Sequence, residues 1–220
     1  NKAKKKIMSW YSNWFNSKYY HRLYNRRDER EAEFFINNLI KKIQLKKNSK
    51  LIDIACGKGR HATYFNKKGM DVIGIDLSKE SIAYAKRHEN YKLKFIVHDM
   101  RDSLKENHFD IATNLFTSFG YFEDQDDNQK CVNAMSKNLK KDGLLILDFM
   151  NVIRVCNNLI KDESKIIDNT IYDIRREIKN NYIIKNINIT EEDKTYCFQE
   201  KVKILKLVDF DLLFKNAKLS

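Results

Sequence analysis

The chain has 220 residues, a length typical of one domain with a small inserted lobe. Hydrophobic residues make up 42% and charged residues 33%, and 42 Lys and Arg against 30 Asp and Glu give a formal net charge of +12. No run reaches the roughly 18 consecutive apolar residues of a membrane span. The four Cys form no CxxC pair, which excludes a disulfide-rich secreted domain and predicts a cytoplasmic protein with free thiols.

An aromatic segment opens the chain, and helices then alternate with short apolar strands. The predicted elements, in chain order, are helix Asp28–Ile43, strand Leu51–Ile54, helix Arg60–Lys68, strand Val72–Ile75, helix Lys79–Glu89 with Ser78 as N-cap, strand Leu93–Val97, strand Phe109–Leu115, helix Asp124–Leu139 and strand Leu144–Met150. Strands that alternate with helices predict a parallel sheet with right-handed crossovers. Nearly continuous apolar strands indicate burial on both faces of that sheet.

The pattern changes in the last quarter of the chain. From Ile166 to Leu207 apolar residues recur at every second position, which predicts antiparallel strands separated by the turn pairs Asn180-Asn181 and Asp193-Lys194. We expect about three such strands, and helical spacing returns from Val208 to Asn216. The predicted fold class is α/β: a doubly wound, mostly parallel sheet with an antiparallel β insertion after the fifth strand.

The segment Asp53 to Gly59 (DIACGKG) ends a predicted strand and opens a helix. Glycine at such a turn lets the backbone approach a ligand closely, and two classes of nucleotide-cofactor proteins use it. The dinucleotide fingerprint GxGxxG/A is satisfied by Gly57, Gly59 and Ala62. However, a carboxylate at Asp53 would repel a pyrophosphate and attract a ligand with an ammonium and a sulfonium group. The sequence therefore favours S-adenosylmethionine over a nicotinamide dinucleotide.

Several motifs then agree in order and spacing with one known family. Asp53 to Gly59, Asp76, His98-Asp99-Met100 and Asp110 to Asn114 resemble the motifs of class I S-adenosylmethionine-dependent methyltransferases, over roughly residues 48–151. The stretches WYSNWFNSKYYHRLY, ACGKGRH and NLFTSFGYF are similar to a group of small bacterial methyltransferases. The resemblance implies a Rossmann-like core and methyl transfer from S-adenosylmethionine, with S-adenosylhomocysteine as the product.

The resemblance also implies cofactor-binding roles. The two turn glycines would pack against the methionine and ribose portions, Asp53 would orient the amino group, and Asp76 would bind both ribose hydroxyls. Asp99 would accept from the adenine amino group, the Met100 backbone would meet a ring nitrogen, and the Asn114 carbonyl would face the cofactor. The full implied set is Tyr20, Arg27, Asp53, Ala55, Gly57, Gly59, Arg60, Asp76, Leu77, Asp99, Met100 and Asn114. Within it, Tyr20, Arg27 and Arg60 are candidates for the cofactor carboxylate.

The chain contains no proline, and this absence helps to identify the kind of molecule that accepts the methyl group. Methyltransferases that act on exocyclic amines of bases, or on glutamine amides, typically carry Pro-Pro-aromatic after the fourth strand, where this chain has Asn114 to Thr117. Phe116, Phe119, Tyr121 and Phe122 predict instead an aromatic mouth for a small amphipathic molecule or a cationic amine. We expect methyl transfer to a nitrogen or oxygen of a small molecule, mainly by positioning and desolvation. Tyr121 and His21 are the candidate catalytic residues.

Alternatives remain open at this point. The net charge of +12 favours an RNA or protein acceptor, but the basic residues are spread from Lys2 to Lys218 and Lys outnumbers Arg, which is typical of a compositional bias. A cofactor-binding module without catalysis is a second alternative, because the family's sixth and seventh strands are not seen after the last predicted helix. The fifth strand is then expected to be a sheet edge, which is either exposed or covered by another copy of the chain. A dimer is therefore one of the alternatives.

We expect three parts in the chain. Residues 1–47 form an N-terminal aromatic and helical lid, 48–151 with 208–220 form the methyltransferase core, and 152–207 form the inserted β subdomain. Because the five His show no metal-ligand spacing, no metal site is predicted.

Overall fold

The computed structural model describes residues 10–24 and 29–220, which divide into two compact units. One unit contains residues 10–24 and 153–204, and the other contains residues 29–152 and 205–220. Within the described ranges, no helix combines the length and the apolar character that crossing a bilayer requires.

The predicted helices and strands are present in the predicted order, with shifts of a few residues at their ends, and the short helix Val152–Asn157 was not predicted. The helices are α1 (Trp10–Phe15), α2 (Lys18–Leu23), α3 (Glu29–Ile43), α4 (Arg60–Lys67), α5 (Lys79–Ala85), α6 (Gln125–Asn138), α7 (Val152–Asn157) and α8 (Leu207–Asn216). The strands are β1 (Lys50–Ile54), β2 (Asp71–Asp76), β3 (Leu93–Val97), β4 (Phe109–Asn114), β5 (Leu139–Leu147), β6 (Asp162–Ile167), β7 (Thr170–Lys179), β8 (Tyr182–Glu191) and β9 (Lys194–Lys203). As predicted, the Ser78 hydroxyl caps α5 by accepting from the Ser81 N–H.

The larger unit is built on a five-stranded parallel sheet in the order β3-β2-β1-β4-β5. This arrangement confirms the predicted α/β fold, and β5 lies at an edge of the described sheet. The carboxyl ends of β1, β2 and β4 meet at one edge because Asp53 is in register with both Gly74 and Thr113. In open parallel sheets this edge, near the point where strand order reverses, is where ligands bind.

Apolar residues on both faces of this sheet form its core, as the strand pattern predicts. Leu51, Ile52 and Ile54 are all at most 1% exposed, since helices cover both sides of β1. The β5 strand begins at Leu139, five residues before the predicted start, and a register shift between Phe109 and Ile111 accommodates this extra length.

The smaller unit contains an antiparallel sheet of four strands in the order β6-β7-β8-β9, not about three as the sequence suggested. The additional strand is β6, whose polar start at Asp162, Glu163 and Ser164 lacks the alternation of a half-buried strand. The Asn180-Asn181 turn lies where it was predicted. The turn predicted at Asp193-Lys194 is formed one residue earlier by Glu192 and Asp193, because Lys194 already begins β9. All four turn residues have positive φ.

The N-terminal aromatic segment forms the core of this smaller unit. Trp14 is fully buried, and its ring lies 4.9 Å from that of Phe198 on β9. Tyr19 is 4% exposed and packs at 5.0 Å on Tyr196. The segment and the four-stranded sheet therefore share one hydrophobic cluster, which also contains Tyr172.

Candidate functional site

The carboxylate of Asp76 lies at the carboxyl end of β2 and joins two turns. Its Oδ2 accepts from the Gly57 N–H and its Oδ1 from the Ser78 N–H, both at 2.8 Å. Burial raises the pKa of Asp76, and these two hydrogen bonds oppose the shift. Each oxygen keeps a further lone pair, so the group retains the capacity to accept two ribose hydroxyls.

Gly57 and Gly59 serve different purposes, although both have left-handed backbone, with φ of +56° and +79°. A Cβ added at Gly57 would meet no heavy atom within 4 Å, whereas one at Gly59 would lie 2.5 Å from the Phe95 ring. The backbone at Gly57 therefore faces open space that a ligand can approach. Gly59 is needed for packing against Phe95. Ala55, just after β1, also has a positive φ of 58°.

Asp53 is 2% exposed, between the sheet and the start of α4. Its Oδ1 accepts from the Thr113 hydroxyl at 2.8 Å, and its Oδ2 is buried with no hydrogen-bond partner among the described residues. Burial raises the pKa of Asp53 to about 7, although the Thr113 bond opposes the shift. A buried carboxylate with an unpartnered oxygen gains from a nearby cation or a bridging water. This fits an indirect role in binding an ammonium group.

Asn114 is buried at the end of β4, and its predicted backbone role is partly taken. Its carbonyl accepts from the Asp148 N–H at 2.9 Å and so keeps one lone pair for a ligand. Its side-chain Nδ2 donates to the Ile54 carbonyl at 3.0 Å and ties β4 to β1. The Oδ1 atom is buried without a partner in the part of the chain that the structure describes.

The turn after β4 is strained. Phe116 and Thr117 are consecutive non-glycine residues with φ of +56° and +55°, a backbone that costs roughly 1–2 kcal/mol per residue. Asp148 holds the turn, since its Oδ2 accepts from the Phe116 N–H at 2.8 Å and its carbonyl from the Thr117 N–H at 3.2 Å. Strain of this kind concentrates at functional sites, and this turn lies at the same sheet edge as Asp53 and Asp76.

Asp99 follows β3 at the same edge, where the His98 N–H donates to the Asp76 carbonyl at 3.0 Å. The Asp99 carboxylate is held by Arg101, whose Nη2 lies 2.6 Å from Oδ2 and whose Nε lies 3.0 Å from Oδ1. Burial raises the pKa of Asp99, but the Arg101 contacts outweigh this effect and lower it overall. The sequence argument missed Arg101, which directly follows the Asp99-Met100 pair.

His61 was also missed, although it belongs to the ACGKGRH stretch. It is 8% exposed on α4, and its ring is stacked on Phe116 at 4.6 Å. Burial, together with the Arg60 charge, lowers the pKa of His61 to about 3, so the ring is neutral. The Arg60 guanidinium lies 5.0 Å from the Phe116 ring and is paired with Glu31 at 2.9 Å. Arg60 therefore borders the strained turn, and Glu31 already neutralises part of its charge.

The predicted aromatic mouth is smaller than expected. Phe119 is fully buried beside Phe210 of α8 at 5.9 Å, and Phe122 is 6% exposed beneath the Arg101 guanidinium. These two rings are core residues because α8 and Arg101 cover them. Phe116 and Tyr121 are half-buried, and the Tyr121 hydroxyl donates to the Thr117 carbonyl at 2.5 Å, which braces the turn.

The remaining predicted residues are placed as follows. Leu77 directly follows Asp76 and is 46% exposed, so its side chain is accessible for packing against the adenine ring. Tyr20 and His21 lie on α2 in the smaller unit, and the Tyr20 ring packs at 4.9 Å on Phe15. Arg27 lies outside the described residues.

These features define a nucleoside-cofactor site at the carboxyl edge of a parallel sheet. Residues 45–207 match a family model described as a methyltransferase domain, and the chain belongs to this family. It is an S-adenosylmethionine-dependent methyltransferase. The chain is 23% identical over 187 residues to YqeM of Bacillus subtilis (strain 168), which is named as a methyltransferase; the match covers 76% of each chain.

Two further proteins illustrate the range of the family. The dTDP-3-amino-3,4,6-trideoxy-alpha-D-glucopyranose N,N-dimethyltransferase of Streptomyces venezuelae is 30% identical over 107 residues, which cover 46% of this chain and only 42% of that enzyme. A crystal structure of an S-adenosylmethionine-dependent methyltransferase from Clostridium acetobutylicum ATCC 824 superposes with a TM-score of 0.74 at 22% identity, covering 90% of this chain and 84% of that one. This likeness shows the shared fold.

The residues at the sheet edge fit S-adenosylmethionine. The open space at Gly57 admits a ligand to the backbone, and the Asp76 carboxylate beside it has unused acceptor sites. The unpartnered Oδ2 of Asp53 and the raised pKa of that group suit a cationic ligand. A dinucleotide pyrophosphate would gain nothing from either carboxylate.

Proposed function

We propose that the protein methylates a nitrogen or oxygen of a small-molecule acceptor. The observation that carries the proposal is the turn after β4, which reads Asn114-Leu115-Phe116-Thr117 without proline and holds two residues in left-handed backbone. It places the half-buried Phe116 at this sheet edge, where enzymes that act on base amines or glutamine amides place Pro-Pro-aromatic. The missing Pro-Pro-aromatic segment disfavours a base amine, and the half-buried Phe116 and Tyr121 suit a compact amphipathic acceptor.

The bound cofactor supplies the activated methyl group on its sulfonium. The protein then has to hold and desolvate the partners, because an in-line displacement depends mainly on orientation. In this proposal Asp76 binds the ribose hydroxyls, Asp53 balances the cationic amino-acid end, and the Asn114 carbonyl accepts from the same end. The Asp148 contacts fix the turn that positions the acceptor.

An amine acceptor is the favoured class. A primary or secondary amine attacks the sulfonium methyl group as a free base, so the proton of its ammonium form has to pass to solvent or to a base before the attack. The sugar N,N-dimethyltransferase of Streptomyces venezuelae acts, by its name, on an amino sugar attached to a nucleotide. We infer that the acceptor here is a small amine of this kind, with a polar scaffold that carries the amino group.

The candidates for a general base are Tyr121 and His21. The Tyr121 hydroxyl donates to the Thr117 carbonyl, which places this side chain at the strained turn after β4. Turnover that drops in Tyr121→Phe but not in Tyr91→Phe, the same change at a tyrosine that is 88% exposed, would support Tyr121, and His21→Ala tests the second candidate. Unchanged turnover in both variants would exclude both residues as bases.

The decisive experiment has two stages. Calorimetric titrations with S-adenosylmethionine, S-adenosylhomocysteine and NADH are expected to give micromolar affinity for the two adenosyl ligands and none for NADH. Methyl-labelled cofactor is then incubated with small-molecule pools that contain amino sugars and other amines, and separately with RNA and protein. Label in the small-molecule fraction supports the proposal. Label in RNA, with affinity that falls steeply as salt rises, would replace it by a nucleic-acid acceptor.

A further inference from the structure

Arg101 lies in the loop between β3 and β4 and holds three groups together. Its backbone N–H and Nε donate to Asp99 Oδ1, both at 3.0 Å, while Nη2 reaches Asp99 Oδ2 at 2.6 Å. Its Nη1 donates to Asp127 in the first turn of α6 at 2.7 Å. The guanidinium carbon lies 5.1 Å from the ring of Phe122, which is 6% exposed. A planar fork in contact with two carboxylates and a ring has little rotational freedom.

These contacts determine how many further hydrogen bonds the Asp99 carboxylate can accept. A carboxylate offers about four acceptor sites. Arg101 occupies about three of them with three N–H groups: the backbone N–H donates to Oδ1, Nη2 donates to Oδ2, and Nε is shared between Oδ1 at 3.0 Å and Oδ2 at 3.2 Å. About one acceptor site is left for a further N–H donor. The Arg101 contacts also lower the pKa of Asp99, so the group accepts and does not donate. It would favour a ring with an amino group over one with a carbonyl at the same position.

The loop has a second, independent anchor. Asn138 at the far end of α6 accepts from the N–H groups of Leu104 and Lys105 at 2.9 and 3.0 Å. The loop is therefore attached to α6 even without Arg101. If Arg101 served only to attach the loop to α6, it would repeat what Asn138 already does. Among the described contacts, however, only Arg101 binds the Asp99 carboxylate.

We propose that Arg101 is a positioning residue for adenine recognition, which orients Asp99 so that its carboxylate accepts from the 6-amino group of the adenosyl cofactor. The inference rests on the proposed cofactor role of Asp99. Asp127 supports Arg101 from the opposite side. Lys130 also contacts Asp127, at 2.7 Å, but it makes no described contact with Asp99 and so provides a matched control.

The test compares S-adenosylhomocysteine with S-inosylhomocysteine, in which a 6-oxo group replaces the amino group. The wild-type protein is expected to bind the adenosyl ligand about tenfold more tightly or more, as for a hydrogen bond to a charged group. In Arg101→Met this preference should fall towards one, and Asp127→Asn should reduce it partly. Arg101→Lys keeps the charge but loses the fork, so it should recover only part of the preference. Lys130→Met should leave the ratio unchanged.

Three results would overturn the inference. The first is an Arg101→Met protein that keeps the wild-type ratio while both dissociation constants shift together, which would indicate a structural role alone. The second is wild-type protein that binds both ligands equally, which would remove the role of Asp99 while leaving the cofactor assignment intact. The third is wild-type protein that binds neither ligand, which would overturn the proposed function as well. If the Arg101→Met protein does not fold, the ratio of the two dissociation constants in Arg101→Lys and Asp127→Asn tests the inference instead.

Discussion

The Gly57 N–H donates to the Asp76 carboxylate at 2.8 Å, so the glycine turn after β1 is bonded directly to the end of β2. The Ser78 N–H donates to the other oxygen of the same carboxylate. One side chain thus fixes two turns, and the open space beside Gly57 is defined by its position. These two bonds hold the glycine turn and the start of α5 in one arrangement around the Asp76 carboxylate.

Replacement of Asp76 by Asn is expected to weaken S-adenosylhomocysteine binding by about 10- to 100-fold, the range for hydrogen bonds to a charged group. An amide offers one acceptor oxygen, so it cannot serve both backbone N–H groups and both ribose hydroxyls. Asp71→Asn is the matched control, since Asp71 begins the same strand at the opposite edge of the sheet. Calorimetry measures both, and equal affinities in the two variants would contradict the assignment.

Alanine substitutions at the two turn glycines should have different effects, one mainly on the free energy of unfolding and the other mainly on cofactor binding. Gly59→Ala places a Cβ 2.5 Å from the Phe95 ring at a φ of +79°, so we expect a loss of roughly 3 kcal/mol in the free energy of unfolding. Gly57→Ala meets no atom within 4 Å and should cost only about 1 kcal/mol, from its left-handed backbone. It should nevertheless weaken cofactor binding. Urea titration and calorimetry measure the two effects, and normal cofactor affinity in Gly57→Ala would show that this glycine is only a turn residue.

We expect the free energy of unfolding to depend on pH because of the Asp53 carboxyl group. Its pKa is about 7 in the folded protein against an ordinary value of 3.8, so between these values the folded state keeps a proton that the unfolded state has released. The contribution of this group to the free energy of unfolding therefore falls as pH rises from about 4 to 7 and is level above that range. Between pH 5 and 8 the loss is roughly 3 kcal/mol.

Asp53→Asn removes this slope and keeps an acceptor for the Thr113 hydroxyl. The difference in unfolding free energy between variant and wild type should therefore grow in favour of the variant as pH rises. Urea titrations at pH 5, 6, 7 and 8 measure it. A difference that does not change with pH would mean that Asp53 is ionised throughout this range.

The parallel sheet could be predicted from sequence because its strands are short, apolar and bounded by glycine turns. The candidate site was inferred from Asp53 and Asp76, and the structure places both near the carboxyl ends of two such strands. The predicted aromatic mouth was partly wrong because the burial of Phe119 depends on α8, about ninety residues later in the chain. Periodicity within a segment carries no information on such a contact.

The strand β6 and the contacts of Arg101 were missed for a related reason. The start of β6 is polar and gains its strand conformation from pairing with β7, as in the Asp162 to Arg175 register. Arg101 stands next to a recognised motif, but only the folded loop shows that its side chain turns back to Asp99 and also reaches Asp127. Pairing and side-chain direction are properties of the assembled fold.

A final prediction concerns the buried ion pair that joins the N-terminal segment to β9. The Glu200 carboxylate accepts from Trp14 Nε1 at 2.7 Å and from the Tyr24 hydroxyl at 2.8 Å, and the Lys185 ammonium lies 3.4 Å away. Burial lowers the pKa of Lys185, since only 12% of its side chain is exposed. Glu200→Leu should therefore cost roughly 3 kcal/mol, because it leaves the Trp14 N–H without its acceptor and leaves the Lys185 ammonium with the Tyr24 hydroxyl but without a carboxylate partner.

The double variant Glu200→Leu/Lys185→Met removes the stranded charge and should be at least about 1 kcal/mol more stable than the sum of the two single changes predicts. Gln199→Leu is the matched control on the opposite face of β9, where Gln199 contacts Asn186, and it should change stability by no more than about 0.5 kcal/mol. Urea unfolding monitored by Trp fluorescence in a Trp10→Phe background reports the environment of Trp14, the other tryptophan of the chain. Additive effects of the two single changes would show that the pair is not coupled and that the segment is held by its aromatic contacts alone.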